Sequence, residues 1–172
     1  MKVIMYAAIT PNGMIAKSGD RLDFITSTEW QGMMEKAYDI GNCIMGRRAY
    51  EALFKKGKFP YNCLNVVMTK RKIKNKWGSK VVFTGKSPRQ VLKMLEQKGF
   101  SEALVIGGGH VNASFIKQGV VDELILDVEP QLVTKGIRLF EGKDFEKGLK
   151  LVDARRVSPE EARLVFRFES KK

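Results

Sequence analysis

Residues Ser101-Glu-Ala-Leu-Val-Ile-Gly-Gly-Gly-His-Val111 run from an apolar strand pattern through three glycines into the start of a helix pattern. Without Cβ atoms the glycines let the backbone approach a bulky anion such as a diphosphate, and the first amides of the following helix point free donors at it. The spacing is not that of a Rossmann loop. Gly107 and Gly109 satisfy the first half of G-x-G-x-x-G, but the closing position is Asn112. Nor is it a P-loop. Taken alone, the cluster reads equally well as an anion cradle or as a tight strand-to-helix turn without a ligand. Both readings place a β-to-α step here, and the chain on either side repeats that step.

Upstream, the periodicity predicts a strand near 2–9, a helix near 27–39, a strand near 41–46 and a short helix near 47–54. Strands near 64–69 and 80–84 and a helix near 88–98 follow, which is α/β order. Thr26-Ser-Thr-Glu29 has the pattern of a capping box, and Ser87-Pro88 puts a cap before a proline at the first helical position, with Gly99 closing that helix. Downstream, a helix near 110–118 ends at Gly119, and 123–128 is a buried strand pattern. Residues 149–157 and 160–169 form a C-terminal antiparallel hairpin around Ser158-Pro159. The glycines and charges of 130–148 read as a loop able to carry a short strand or cover a site.

The 172 residues fit one domain, 1–172. A hydrophobic content of 44% with 29% charged residues is that of an ordinary globular chain, and no apolar run approaches the roughly 18 residues of a membrane span. Met1 leads directly into the first strand pattern, leaving no room for a signal peptide. With only Cys43 and Cys63, both in apolar segments, the chain reads as cytoplasmic and reduced. His110 is the single histidine, and no Cys-x-x-Cys occurs, so no metal site is expected. The net charge of +12 admits a nucleic-acid-binding module, above all at Thr69-Lys-Arg-Lys-Ile-Lys-Asn-Lys-Trp77. It equally suits a phosphorylated small-molecule partner.

Four segments are placed as strand ends converging on one crevice: Ala7–Ala16, Met45-Gly-Arg-Arg48, Met68-Thr-Lys-Arg71 and Gly107–Val111. Ile44-Met-Gly-Arg-Arg-Ala-Tyr-Glu-Ala-Leu53, Val66-Val-Met-Thr-Lys70 and Val105-Ile-Gly-Gly-Gly109 resemble the dihydrofolate reductase superfamily. That superfamily includes the reductase domain of the riboflavin-biosynthesis deaminase-reductases. The riboflavin branch is marked by Ile25-Thr-Ser27 with Glu29, and by Val121-Asp-Glu-Leu124 followed by Pro130, Gly136 and Leu139-Phe140. The resemblance covers nearly the whole chain. It implies a three-layer α/β fold with a mostly parallel central sheet and a C-terminal antiparallel hairpin.

It also implies NADPH, with Ala8 and Ile15 beside the nicotinamide. Gly46, Arg47, Gly107, Gly108, Gly109, His110 and Val111 surround the diphosphate, and Arg47 or Arg48 with Thr69, Lys70 and Arg71 face the 2′-phosphate. Guanidinium forks suit a phosphate, and cations are disfavoured at a helix start unless an anion sits there too. Hydride transfer to a C=N bond needs a proton. Counting along the first helix puts Trp30 in the slot of the family's acid, with Glu29 one residue earlier and about 100° round the helix. Glu29 is thus a catalytic candidate whose plainer role is the capping box. Asp127 stands where the reductases carry a pterin-facing threonine, and a carboxylate between Leu126 and Val128 is costly to bury without a task. It is read as binding the amino-amidine edge of the heterocycle and relaying the proton, or else as capping a neighbouring backbone group. Met33 and Met34 on the first helix read either as core packing or as an apolar slot for a flat heterocycle, in which Met34 takes the family's stacking position.

Two departures bear on the substrate. The arginine that clamps the folate tail aligns with Cys63, although Lys55, Lys56 and Lys58 are close in sequence. The acidic segments of the riboflavin enzymes are replaced by Arg48-Ala-Tyr-Glu51 and Ile106. The resemblance places dihydrofolate reductase-type activity slightly ahead of reduction of a ribosylaminopyrimidine phosphate. A silent nucleotide-binding protein is the non-enzymatic counterpart. Leu164, Phe166 and Phe168 alternate along the last strand and suggest an edge through which a homodimer pairs.

Overall fold

A computed structural model describes residues 1–169. In chain order it contains β1 (Lys2–Ile9), β2 (Met14–Lys17), α1 (Ser27–Ile40), β3 (Asn42–Gly46), α2 (Arg47–Lys55), β4 (Leu64–Met68) and β5 (Val81–Thr84). There follow α3 (Pro88–Gln97), β6 (Glu102–Gly107), α4 (Gly109–Lys117), β7 (Glu123–Val128), β8 (Gly136–Arg138), β9 (Leu149–Arg156) and β10 (Ala162–Phe168). Eight strands form one sheet in the order β5-β4-β3-β6-β1-β7-β10-β9. The first six are parallel, and the β9–β10 hairpin adds to β7 antiparallel.

Strand alternation sorts the core into two layers. On β1, Ile4 and Tyr6 face α1 and α2, meeting Trp30, Met33, Ala37, Tyr50 and Leu53, whereas Val3 and Met5 face α3 and α4 through Val91, Leu95, Phe115 and Ile116. Trp30, Met33, Ala37 and Ile40 recur at the three- and four-residue steps of a helical stripe, so α1 buries one continuous face. The three-layer arrangement expected from the resemblance is therefore the observed one.

Three local features have physical causes. The loop at 130–148, read as able to carry a short strand, carries β8, which pairs antiparallel with β2 in a small second sheet. Gly136 is required there because a Cβ would overlap the Ala16 carbonyl oxygen. The capping box of α1 is half built: Thr26 Oγ1 accepts from the Glu29 N–H at 3.2 Å, but the Thr26 N–H donates to Glu129 Oε1 at 3.3 Å, from β7's end. Glu29 is thereby released from the cap. Finally, Phe166 and Phe168 pack into the chain's own core, and the edge strand on that side of the sheet is β9, where Leu149, Leu151 and Val152 are exposed.

Candidate active site

The C-terminal ends of β1, β3, β4 and β6 open onto a cavity of about 250 Å³, where an open parallel sheet binds its ligands. One end is built from two helix starts. β6 turns at Gly107, whose φ of 110° only glycine adopts without strain, and Gly108 then caps α4 with no side-chain hydrogen bond. α2 likewise begins at Gly46 with no side-chain cap. The two starts abut, since a Cβ on Gly46 would stand 2.9 Å from Val111 Cγ2. By contrast, α1 and α3 are capped by the side chains of Thr26 and Ser87. The starts of α2 and α4 thus keep their first-turn donors and positive dipole ends free of side-chain caps.

Arg47 and Arg48 line this end with Gly108, Gly109, His110 and Val111, and Ala8 and Ile15 line the middle. Arg47 Nη1 donates to both Glu51 carboxylate oxygens, at 2.6 and 2.7 Å, and Arg48 Nη2 donates to Asp20 Oδ1 at 2.6 Å. Both guanidiniums are therefore held by half-exposed carboxylates, contacts that contribute little and are easily exchanged. Gly46 and Gly107 stand outside the lining, as do Thr69, Lys70 and Arg71; only Met68 of their strand reaches the wall. Thr69 Oγ1 instead accepts from the Arg71 N–H at 3.0 Å in a local turn.

The other end is apolar. Trp30 lines it as expected, together with Leu22, Ile25, Met33, Tyr61 and Ile106. Met34 does not: it is 43% exposed on the outer face of α1, while Met33, one residue earlier, turns inward and accepts from the Tyr61 hydroxyl at 3.5 Å. The single-residue rotation on the helix decides between them. At the rim, Lys58 Nζ lies 5.9 Å from the Trp30 ring centre, and Lys56 Nζ donates to the Leu22 carbonyl at 3.1 Å.

Behind this wall lies a buried polar group that corrects the reading of Asp127. Its side chain does not line the crevice, and both oxygens are engaged. The Tyr6 hydroxyl donates to Oδ2 at 2.7 Å, and Arg163 forks onto the carboxylate, Nε to Oδ1 and Nη2 to Oδ2, each at 2.7 Å. Arg163 faces Asp127 because β10 and β7 pair in that register. Asp127 thus holds a guanidinium, caps no backbone group and keeps no edge for a heterocycle. Gly32 makes room for the arrangement, for its Cβ would stand 3.0 Å from the Tyr6 hydroxyl and 3.1 Å from Arg163 Nη2. Tyr6 and Arg163 were missed in the sequence. Arg163 lies on the strand face opposite Phe166 and Phe168, so the alternation of 162–168 carried no signal for it.

Glu29, one helical turn before Gly32, points into the same interior. It is 1% exposed, and neither carboxylate oxygen has a hydrogen-bond partner. Burial, then the nearby Asp127 and Glu129 charges, push its carboxyl well above the usual range and favour the protonated form. Glu129 is buried as well, and burial pushes it from an ordinary 4.5 up to about 7 against the opposing hydrogen bond from Thr26. Because this folded value is raised, the folded chain holds a proton that the unfolded chain has lost between those two pH values. Stability contributed at low pH is accordingly lost as pH rises from 4.5 to 7. Urea midpoints of wild type and Glu129→Gln should diverge across this window, the wild type falling more steeply. Parallel curves would contradict the assignment.

A family profile described as the RibD C-terminal domain matches residues 1–161. The chain belongs to the RibD C-terminal domain family. Uncharacterized protein YwjB of Bacillus subtilis is 27% identical over 156 residues, 87% of this chain and 88% of that one. A Shewanella sp. PV-4 structure, provisionally described as a riboflavin biosynthesis protein, superposes with a TM-score of 0.83 at 22% identity and covers 99% of this chain and 100% of its own. The deaminase/reductase of Thermotoga maritima gives a TM-score of 0.76 at 16% identity; the match covers 97% of this chain and 56% of that bifunctional one. RibD-type membership corrects the order of expectations: it supports the riboflavin-type reductases and does not support dihydrofolate reductase activity as such. Among the described residues no helix is long and apolar enough to cross a membrane, and no group of three or more metal-ligating side chains gathers.

Proposed function

We propose that this protein is a reductase of the riboflavin-pathway type that uses NADPH to reduce the C=N bond of a phosphorylated ribosylaminopyrimidine. The observation carrying this reading is the pair of uncapped helix starts meeting at one end of a crevice whose other end is apolar, with Arg47 and Arg48 beside them. Two bundles of free amides suit a diphosphate, and two guanidinium forks suit the additional phosphate that distinguishes NADPH from NADH. Gly108 fits close approach of that anion, because nothing lies within 4 Å of where its Cβ would be.

When bound, the cofactor supplies the hydride. The chain's own part is to position and to protonate. Ala8 and Ile15 shape the nicotinamide end, and Trp30 and Met33 form the apolar wall on which a flat ring rests and from which water is excluded. Lys58 and Lys56 at the rim offer cations to a substrate phosphate. Glu29, which stands outside the crevice lining and whose burial favours the acid form, is the proton reserve. Asp127 acts at one remove by fixing Arg163 beneath it. A second copy of the chain pairs along the exposed β9 edge, completing a homodimer.

The reading is tested by following NADPH consumption with the diamino-ribosylaminopyrimidinone phosphate and, separately, with dihydrofolate. Turnover of the pyrimidine and little or none of dihydrofolate is expected. Turnover of dihydrofolate alone would reverse the assignment.

A further inference from the structure

The two cysteines, which take no part in the reductase reading, lie together. Cys43 is fully buried on β3, and Cys63 precedes β4, partly open to solvent. Their sulfurs are 3.7 Å apart. Both belong to a small network centred on Asn65. Cys43 Sγ donates to Asn65 Oδ1 at 3.4 Å, and the same oxygen accepts the Tyr61 N–H at 3.1 Å. Asn65 Nδ2 in turn donates to the carbonyls of Tyr61 and Cys63, at 2.9 and 2.8 Å. One buried amide therefore couples the thiol pair to the backbone of Tyr61, and Tyr61 forms part of the crevice wall.

We infer that Cys43 and Cys63 are a thiol pair that a peroxide converts to an intramolecular disulfide, and that closing this bond moves Tyr61 in the wall of the crevice. The accessible sulfur attacks first. The Cys43 thiol beside it holds Cys63 below the ordinary thiol range, whereas burial pushes Cys43 up, so Cys63 is the better nucleophile. The Cys63 thiolate attacks a peroxide oxygen, breaking the O–O bond and leaving a sulfenic acid and hydroxide. Cys43 then attacks the sulfenic sulfur, the S–S bond forms and a second hydroxide leaves. The two thiol protons convert both hydroxides to water.

The sulfurs must close from 3.7 Å to about 2.05 Å. Cys43 is fixed in the middle of a paired strand, so the movement falls on Cys63 and the irregular segment 59–63 before β4. Cys43 also loses the proton it gave to Asn65. The amide that holds Tyr61 is disturbed from both sides.

The test is hydrogen peroxide added to the folded, full-length protein, followed by intact mass, thiol titration, peptide mapping and hydrogen exchange. A loss of two hydrogens is expected, with both thiols gone, a Cys43–Cys63 linked peptide, and faster exchange at the amides of Tyr61 and Cys63. Dithiothreitol should reverse all four. Cys43→Ser should instead leave a Cys63 sulfenic acid that dimedone traps. Two thiols surviving peroxide, a bond only between chains, or an intramolecular bond that leaves exchange at Tyr61 unchanged would each overturn the inference. None of these readouts requires NADPH or a substrate, so the inference can fail while the reductase reading stands, and the reverse.

Discussion

Asp127→Ala is expected to lower the stability of the folded chain by about 3 kcal/mol, the lower part of the range for breaking a buried ion pair. The Asp127 side chain is 2% exposed and that of Arg163 20%, so removal of the carboxylate leaves a largely desolvated guanidinium with no anion in hydrogen-bond reach. Tyr6 loses its acceptor in the same step. The partial exposure of Arg163 lets some water in, which is why the upper end of the range is not reached. For a domain of this size the melting temperature should fall by about 6–12 °C. Asp127→Asn, which keeps an oxygen for Tyr6 but not the charge, should fall between. The double variant Asp127→Ala with Arg163→Met should recover most of the loss, because the cost lies in the uncompensated charge rather than in a missing attraction. Urea unfolding of the four proteins decides the matter: a loss under about 0.5 kcal/mol for Asp127→Ala, the level of an ordinary surface substitution, would show that the pair is not buried as described.

Gly109→Ala should affect both stability and the crevice. A Cβ there would stand 2.5 Å from the Arg138 carbonyl oxygen and 2.9 Å from Glu141 Cγ. The first is backbone of β8, anchored by pairing to β2, and the Glu141 N–H donates to the Gly109 carbonyl at 3.1 Å. Neither neighbour is the free end of a flexible side chain, so α4 must move away from β8. The expected cost is about 2–3 kcal/mol, that of overpacking a tight site. Movement of the α4 start also misdirects the amides at the crevice, and affinity for NADPH should fall about tenfold or more, the equivalent of one lost charge-assisted hydrogen bond. Gly108→Ala is the control: nothing lies within 4 Å of its Cβ position, so stability should hold while cofactor affinity still falls. Thermal melts and nucleotide titrations of both variants separate the two effects. Gly109→Ala with wild-type stability and affinity would contradict the close packing of α4 on β8.

Most of the fold was legible because its elements are long and their patterns unambiguous. The buried run of β1, the stripe Trp30-Met33-Ala37-Ile40 and the Ser87-Pro88 start of α3 each point one way. β2 and its pairing with β8 were not legible, since the two strands meet only across more than a hundred residues of chain. At the site the glycine run and Arg47-Arg48 marked the end of the crevice where the α2 and α4 starts meet. Two features depended on tertiary partners and could not be read locally. Glu29 left its capping box because Glu129, just past β7, took its place. Asp127 was read as a substrate ligand because its partner, Arg163, is set by a strand register that sequence order does not reveal.

The central claim, that the meeting of the α2 and α4 starts is a nicotinamide-dinucleotide phosphate site, is tested most directly by calorimetric titration with NADPH and NADH. NADPH should bind at one site per chain and about tenfold or more tightly than NADH, the preference disappearing in Arg47→Ala/Arg48→Ala. Binding of neither nucleotide, or equal affinity for both in the wild type, would contradict the account.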